Sequence, residues 1–266
     1  MQDLRDVIFA EIIDKKYTAQ ITAEKEGIIA GSKYALQKLL EMGIKVDYLL
    51  NDGEKVYPGA LVVKITGNPK QITMAEEVII GKLAKTSGIA TAANYAVKLS
   101  RGKCRIASGA WKKMPIEIKE HVRDAIVTGG ATTRLFEQPF VYLDKNYVRI
   151  FGNITKTLEA AQKIEGYLKV IQLKGETGPI STETKEAVEA SADVVMIDTG
   201  KVSDAKEAIK TLYDLGVRED IKVAFAKGVQ ISDIPLYVEM GIDLLCIGKQ
   251  IVDAPLLDMK LDIVTN

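Results

Sequence analysis

The clearest order in this 266-residue chain lies in its second part. From about residue 104 onward, short apolar runs alternate with helix-length amphipathic segments in a regular beat. The runs fall at residues 104–108, 140–144, 168–174, 193–198, 222–226 and 243–247. Stretches such as DVVMID and DLLCIG are apolar almost throughout, as strands of a parallel sheet covered on both faces must be. Between them, Ile118, Val122, Ala125 and Ile126 recur at helical spacing and predict one buried face. Ser203 is placed to cap a helix whose apolar face is Ala208, Ile209, Leu212 and Leu215, with Gly216 as its stop. Ser232 and Gly241 bracket another in the same way. Six such strand–helix units predict an α/β chain whose residues 104–266 form an incomplete (β/α) barrel.

Residues 1–103 mix hairpin-like and helical patterns and predict a separate N-terminal α/β, sandwich-like domain. Segments 19–24 and 27–30 read as paired strands, followed by a helix with Leu36, Leu39 and Leu40 on one face and Gly43 at its end. In NDGEKVYPGALVVKITGN, Asp52-Gly53 and Pro58-Gly59 punctuate strands that end near Gly67. This turn chemistry is similar to that of lipoyl- or biotin-carrying domains, but the modifiable hairpin lysine of those carriers is missing. Residues 72–97 form a long helical stretch rich in small residues, suited to close helix packing or to a subunit interface. The last residues of the chain are expected to return to this N-terminal domain.

Charge narrows the function classes. Lys+Arg and Asp+Glu number 36 each, so no net excess pulls the chain onto nucleic acid or a membrane surface. The N-terminus carries acids within its apolar stretch and no small-residue cleavage site, and no run reaches the ~18 apolar residues of a membrane span; a cytoplasmic location is expected. Cys104 and Cys246 lie far apart in apolar runs and read as buried hydrophobes in a reducing compartment, a single bridge being the secreted alternative. The one histidine, His121, excludes Ser-His-Asp triads and His-rich zinc sites. It is itself expected to be solvated, beside Glu120 and Arg123.

In a barrel, side chains at the C-terminal strand ends surround the site. That rule selects Lys112, Asp144, Lys145, Lys174, Asp198, Lys227 and Lys249, a set suited to an anionic ligand carrying phosphates. Gly129-Gly130, Lys227-Gly228 and Gly248-Lys249 are turns whose backbone N–H groups could cradle a phosphate. The last two follow the final two strands, where barrels often hold phosphate. Each charge taken singly also fits a solvated loop position.

The blocks KLAKTSGIATAANYAV, IASGAWKKMP, GGATTR, YLDKNYVRIFGNI, ADVVMIDT, VAFAKGV and LLDMKLDIV follow one another, over nearly the whole chain, in an order that resembles the quinolinate phosphoribosyltransferase family, also called nicotinate-nucleotide pyrophosphorylases. The resemblance implies an N-terminal α/β domain, an incomplete α/β barrel, and a homodimer or higher homo-oligomer whose subunits lend residues to each other's sites. It implies joining of phosphoribosyl pyrophosphate (PRPP) to quinolinate with loss of CO₂, using Mg²⁺ and no organic cofactor.

The match departs from the family pattern at several positions. Lys112 falls on the lysine of a Thr-Arg-Lys block, but Trp111 takes the arginine's place. An arginine that crosses the dimer interface to hold a substrate carboxylate becomes Glu77, and a His-Arg pair reads Arg134-Leu135. Lys-Asp-Asn-His becomes Asp144-Lys145-Asn146-Tyr147, and the acidic strand that helps hold the metal becomes Gln172-Leu173-Lys174. Asp198 matches the second acid, Gly228 and Gly248 match the phosphate turns, and the serine of a Ser-Gly-Gly turn is Ala226.

A unit charge about 4 Å from another is worth on the order of 4 kcal/mol near a protein surface, so an acid at position 77 turns attraction for a carboxylate into repulsion. The reading is therefore a phosphoribosyltransferase for a nicotinate-like nitrogen heterocycle other than quinolinate. Lys112, Lys145, Lys174 and Asp198 are the catalytic candidates. Glu77, Trp111, Lys113, Arg134 and Asp144 would contact the acceptor, and Lys227, Gly228, Gly248 and Lys249 the phosphates. Mg²⁺ at Asp198 is expected to be weakened by Lys174. The alternatives are a true quinolinate phosphoribosyltransferase of NAD biosynthesis, a barrel enzyme forming a Schiff base on Lys174 or Lys145, and a non-catalytic phosphate- or nucleotide-binding paralogue.

Overall fold

The structure, a computed structural model, describes residues 3–264. In chain order its elements are α1 (Leu4–Ile8), β1 (Tyr17–Ala23), β2 (Gly27–Ile28), α2 (Ser32–Glu41), β3 (Lys45–Leu49), β4 (Lys55–Val56), β5 (Leu61–Gly67) and α3 (Pro69–Ser100). There follow β6 (Arg105–Ala107), a 3₁₀ turn (Ala110–Lys113), α4 (Ile116–Thr128), β7 (Phe140–Leu143), α5 (Lys145–Phe151), α6 (Ile154–Gln162), β8 (Leu168–Leu173), α7 (Ile180–Glu189) and β9 (Val194–Ile197). The chain closes with α8 (Val202–Asp214), β10 (Lys222–Ala226), a second 3₁₀ turn (Ile231–Asp233), α9 (Ile234–Glu239), β11 (Leu244–Cys246), α10 (Lys249–Val252) and β12 (Met259–Ile263). Among the described residues no helix is long and apolar enough to cross a membrane.

Two compact units emerge. The first comprises Met1–Tyr95, Trp111–Gly130 and Ile251–Asn266. Its sheet is antiparallel with order β12-β1-β5-β3, and β2 pairs separately with β4. Alternation along β1 puts Ala19, Ile21 and Ala23 inward, where they share one core with Ile65 of β5 and with Ile72, Ala75, Ile79 and Leu83 of α3. The spacing of those four helical residues is that of a single stripe on α3.

Local patterns in this unit mislead where the partner is distant. Segments 19–24 and 27–30 do not pair with each other: β1 is flanked by β5 and by β12, which arrives from the far end of the chain. The buried face of α2 is Ser32, Ala35 and Leu39, whereas Leu40 is 60% exposed. Residues 111–130 join this unit although strands of the other unit flank them in sequence. The cause is close approach to α3, since a Cβ on Gly129 would stand 2.4 Å from the Ala90 carbonyl oxygen. On α4, Val122, Ala125 and Ile126 are buried as expected, but Ile118 is exposed. His121 is not a free surface residue, because its ring lies 3.7 Å from that of Tyr34.

The second unit, Ala96–Ala110 and Ala131–Gln250, holds a six-stranded parallel sheet with order β6-β11-β10-β9-β8-β7, curled into an incomplete barrel. All six apolar runs become strands, each within a residue or two of the expected ends. Val170, Val194, Met196, Ala224 and Leu244 form the inner apolar layer, while Ile171, Val195, Val223 and Phe225 on the opposite faces are fully buried too. Burial on both faces is why these strands read as continuous apolar runs.

Two helix caps differ from expectation. Lys201, not Ser203, stands at the start of α8, and Ser203 hydrogen-bonds the neighbouring Asp204 carboxylate. Ser232 sits inside a 3₁₀ turn. Both cysteines are free thiols, and burial pushes that of Cys104 up to about 12.

Candidate functional site

The period of two along each strand decides what the inner face presents above its apolar layer. On β8 the inward set runs Val170, Gln172 and then Lys174; on β9 it runs Val194, Met196 and then Asp198. Polar groups thus replace apolar ones where these strands end. Gln172, nearly buried, donates from Nε2 to Asp198 Oδ2 at 2.5 Å and accepts the Lys145 N–H on Oε1 at 2.7 Å. The Lys174 ammonium donates to the Asp198 carbonyl at 3.1 Å and lies 3.4 Å from its Oδ2. With side chains only 17% and 24% exposed, this pair is screened far less than a surface ion pair.

The loop after β8 is held from below by Glu183, which is 2% exposed. Its carboxylate accepts the N–H groups of Lys174, Gly175 and Thr177 and the Thr177 hydroxyl, all at 2.9–3.0 Å. Those amides are therefore committed, and an incoming anion must look to the loops after β9 and β10. There a cavity of about 480 Å³ is lined by Lys174, Asp198, Thr199, Lys201, Asp204, Glu207 and Lys227, with Gly175 and Gly178 on its rim. That volume falls within the range of small-molecule sites.

The backbone beside this cavity is under tension. Lys227 and Gly228 follow β10 with φ of 74° and 75°, and a lysine in that left-handed region costs about 1 kcal/mol or more. Gly200, at φ 77°, has no room for a side chain, since a Cβ would meet the Lys227 carbonyl oxygen at 2.9 Å. Gly200 thereby lets the two loops approach backbone to backbone, which fixes where Lys227 starts.

The structure thus brings together Lys174, Asp198 and Lys227 from the expected set and adds Gln172, Glu183, Thr199 and Lys201. Asp144 caps α5, accepting the Asn146 N–H at 2.8 Å, and the Lys145 side chain is exposed. Arg134 lies over the Phe140 ring at 5.7 Å. Gly228, Gly248 and Lys249 follow β10 and β11 but do not line this cavity. Near Asp198 the Tyr142 hydroxyl is held well above the ordinary phenol value, by burial first and then by the Asp198 charge. The remaining candidates lie in the first unit. Trp111, Lys112 and Lys113 share one 3₁₀ turn, with the Arg123 guanidinium 4.7 Å and the Lys112 ammonium 5.9 Å from the Trp111 ring. Glu77, on α3, pairs with Arg5 at 3.1 Å.

The donors around Asp198 do not suit the divalent cation that the family resemblance implies. Among the described residues no three His, Cys, Asp or Glu side chains gather to hold a metal. Asp198 Oδ2 already faces an amide donor and an ammonium. A divalent ion about 4 Å from that ammonium would meet repulsion on the order of 8 kcal/mol at an effective dielectric of about 20.

A curled parallel sheet with charged groups at its C-terminal strand ends defines an incomplete α/β-barrel enzyme architecture. Residues 6–87 match the quinolinate phosphoribosyl transferase N-terminal domain and residues 89–262 match its C-terminal domain. The chain belongs to the quinolinate phosphoribosyltransferase family, a family of phosphoribosyl-transferring enzymes. It is 24% identical over 262 residues to a probable nicotinate-nucleotide pyrophosphorylase [carboxylating] of Methanothermobacter thermautotrophicus, covering 97% of this chain and 93% of that one. The rat nicotinate-nucleotide pyrophosphorylase [carboxylating] is 26% identical over 266 residues, covering 98% and 87%. The crystal structure of nicotinate-nucleotide pyrophosphorylase from Ehrlichia chaffeensis shares the fold, with a TM-score of 0.82 at 18% identity, covering 98% of this chain and 92% of that one.

Proposed function

We propose that this chain transfers the phosphoribosyl group of PRPP to a carboxylated pyridine, with quinolinate as the acceptor and CO₂ lost from it. The observation that carries the reading is the match to both domains of one family in a chain whose barrel end holds a cavity lined by three lysines and three acids. The relatives' names favour quinolinate over the expected nicotinate-like heterocycle.

In this reading the bond between C1′ of the ribose and the pyrophosphate oxygen breaks, its electron pair leaving with pyrophosphate, and the lone pair of the acceptor nitrogen forms the bond to C1′. The bond from the ring carbon to the neighbouring carboxylate then breaks, CO₂ leaves, and the electron pair left on that carbon takes a proton from solvent. Such a step needs no protein nucleophile, only positioning and charge stabilisation. Lys174, Lys201 and Lys227 face the leaving pyrophosphate, and Asp198 faces the positive charge that develops on the ribose. Lys145 and Arg134 are the candidates for the acceptor carboxylates, and the turns at Gly228, Gly248 and Lys249 for the 5′-phosphate.

The second reading, a nicotinate-like acceptor, is favoured by Trp111 standing where the family pattern has an arginine. The test offers PRPP with quinolinate or with nicotinate and follows pyrophosphate and labelled CO₂. Release of both with quinolinate is expected. Pyrophosphate release with nicotinate alone supports the second reading, and PRPP binding without turnover of either supports a non-catalytic module.

A further inference from the structure

We infer that Lys174 is a built-in substitute for a bridging divalent cation, so that the diphosphate of the donor binds this cavity without one. The inference deepens the proposed function and rests on it. Three features of the site carry it.

The first is that the ammonium is fixed rather than trailing in solvent. It is tied to two oxygens of one residue, the Asp198 carbonyl at 3.1 Å and Oδ2 at 3.4 Å. The second is that the neighbouring acids are already engaged. Oδ2 of Asp198 also accepts Gln172 Nε2, and that amide is held in register by the Lys145 N–H on its other end. Glu183 spends both oxygens on the loop that carries Lys174. Glu207 accepts the Ser181 N–H at 2.9 Å, and Asp204 accepts the Ser203 hydroxyl at 3.2 Å.

The third is how the charges are tied. Three ammonium groups and three carboxylates line the cavity; each carboxylate accepts a hydrogen bond that orients it, and Asp204 and Glu207 do so from neutral donors. Among the described residues Lys201 and Lys227 have no salt-bridge partner. A diphosphate entering the cavity therefore meets two uncommitted cations and a third whose position is set in advance. Preorganised charge of this kind neutralises an anion without the reorganisation that recruiting an ion from water would need.

The test is isothermal titration calorimetry of the full chain with inorganic pyrophosphate, once in excess EDTA and once in millimolar Mg²⁺. The native chain should bind in EDTA within about fivefold of its affinity in Mg²⁺. K174E, which sets a second carboxylate beside Asp198, should lose at least about tenfold in EDTA and recover when Mg²⁺ is added. K174M, should the acidic variant fail to fold, should lose at least about tenfold under both conditions. A larger than fivefold loss of native binding in EDTA, or Lys174 variants that bind as the native chain does, overturns the inference and leaves the proposed function standing. If neither pyrophosphate nor PRPP binds under any condition, both fall together.

Discussion

Both units of this chain carry surface ion pairs, but the second also sets an ion pair inside a cavity. In the first, charges are neutralised close to where they arise, as with Arg5 and Glu77, Lys70 and Asp6, or Lys33 and Asp124. In the second, the Lys174–Asp198 pair stands in a cavity on the inner face of a parallel sheet, tied through Gln172 to a neighbouring loop. The contrast teaches that a charged side chain gains a role from the strand end that carries it more than from its identity. It also states where the chemistry should and should not be sensitive to change.

The largest expected effect separates the two kinds of pair. D198N should lower kcat/KM for PRPP-dependent pyrophosphate release by about 10²-fold, because the charge facing the ribose disappears. E77Q should change it by less than about twofold, since a surface pair contributes little. Steady-state kinetics on the two variants checks this, and equal losses would break the comparison.

Next comes Glu183. E183A leaves three backbone N–H groups of the β8–α7 loop without their acceptor and should cost about 3 kcal/mol in denaturant unfolding. A smaller effect follows at Lys227. K227G should gain about 0.5–1 kcal/mol in stability, as relief of the φ 74° strain exceeds the entropy cost of glycine. The same variant should lose about tenfold in pyrophosphate affinity. A variant that gains stability and keeps its affinity would remove Lys227 from the site.

The smallest effect is a pH dependence in the first unit. Burial, and then the charge of Lys82, holds His121 below its ordinary value of 6.5. The unfolded chain therefore takes up this proton first, so the contribution is present above about pH 6.5 and is lost as pH falls through the folded value. H121Q should lessen the drop in melting temperature between about pH 7 and pH 5 by roughly 1–2 °C.

How much of this could be read from sequence follows from the same contrast. The parallel strands were legible because burial on both faces leaves no polar residue to interrupt them, and Lys174, Asp198 and Lys227 because the strand ends were legible. Glu183 was not, and Gln172 was met only in the run that replaces the family's acidic strand, not as a partner of Asp198. One sits on a helix and the other within a strand, and each matters here through what it hydrogen-bonds. Lys201 could have been found by following the run Asp198-Thr199-Gly200-Lys201 three residues past the strand. Asp144 could have been read as a cap from its position two residues before the N–H it accepts. In the first unit the pairing of β1 with β12 spans most of the chain, and no local pattern encodes it.

The most direct measurement is a crystal structure of the chain with PRPP bound. The diphosphate should lie within hydrogen-bond reach of the Lys174, Lys201 and Lys227 ammonium groups. An ordered diphosphate held elsewhere, for example on Lys112 and Lys113 with those three amines untouched, would contradict the account.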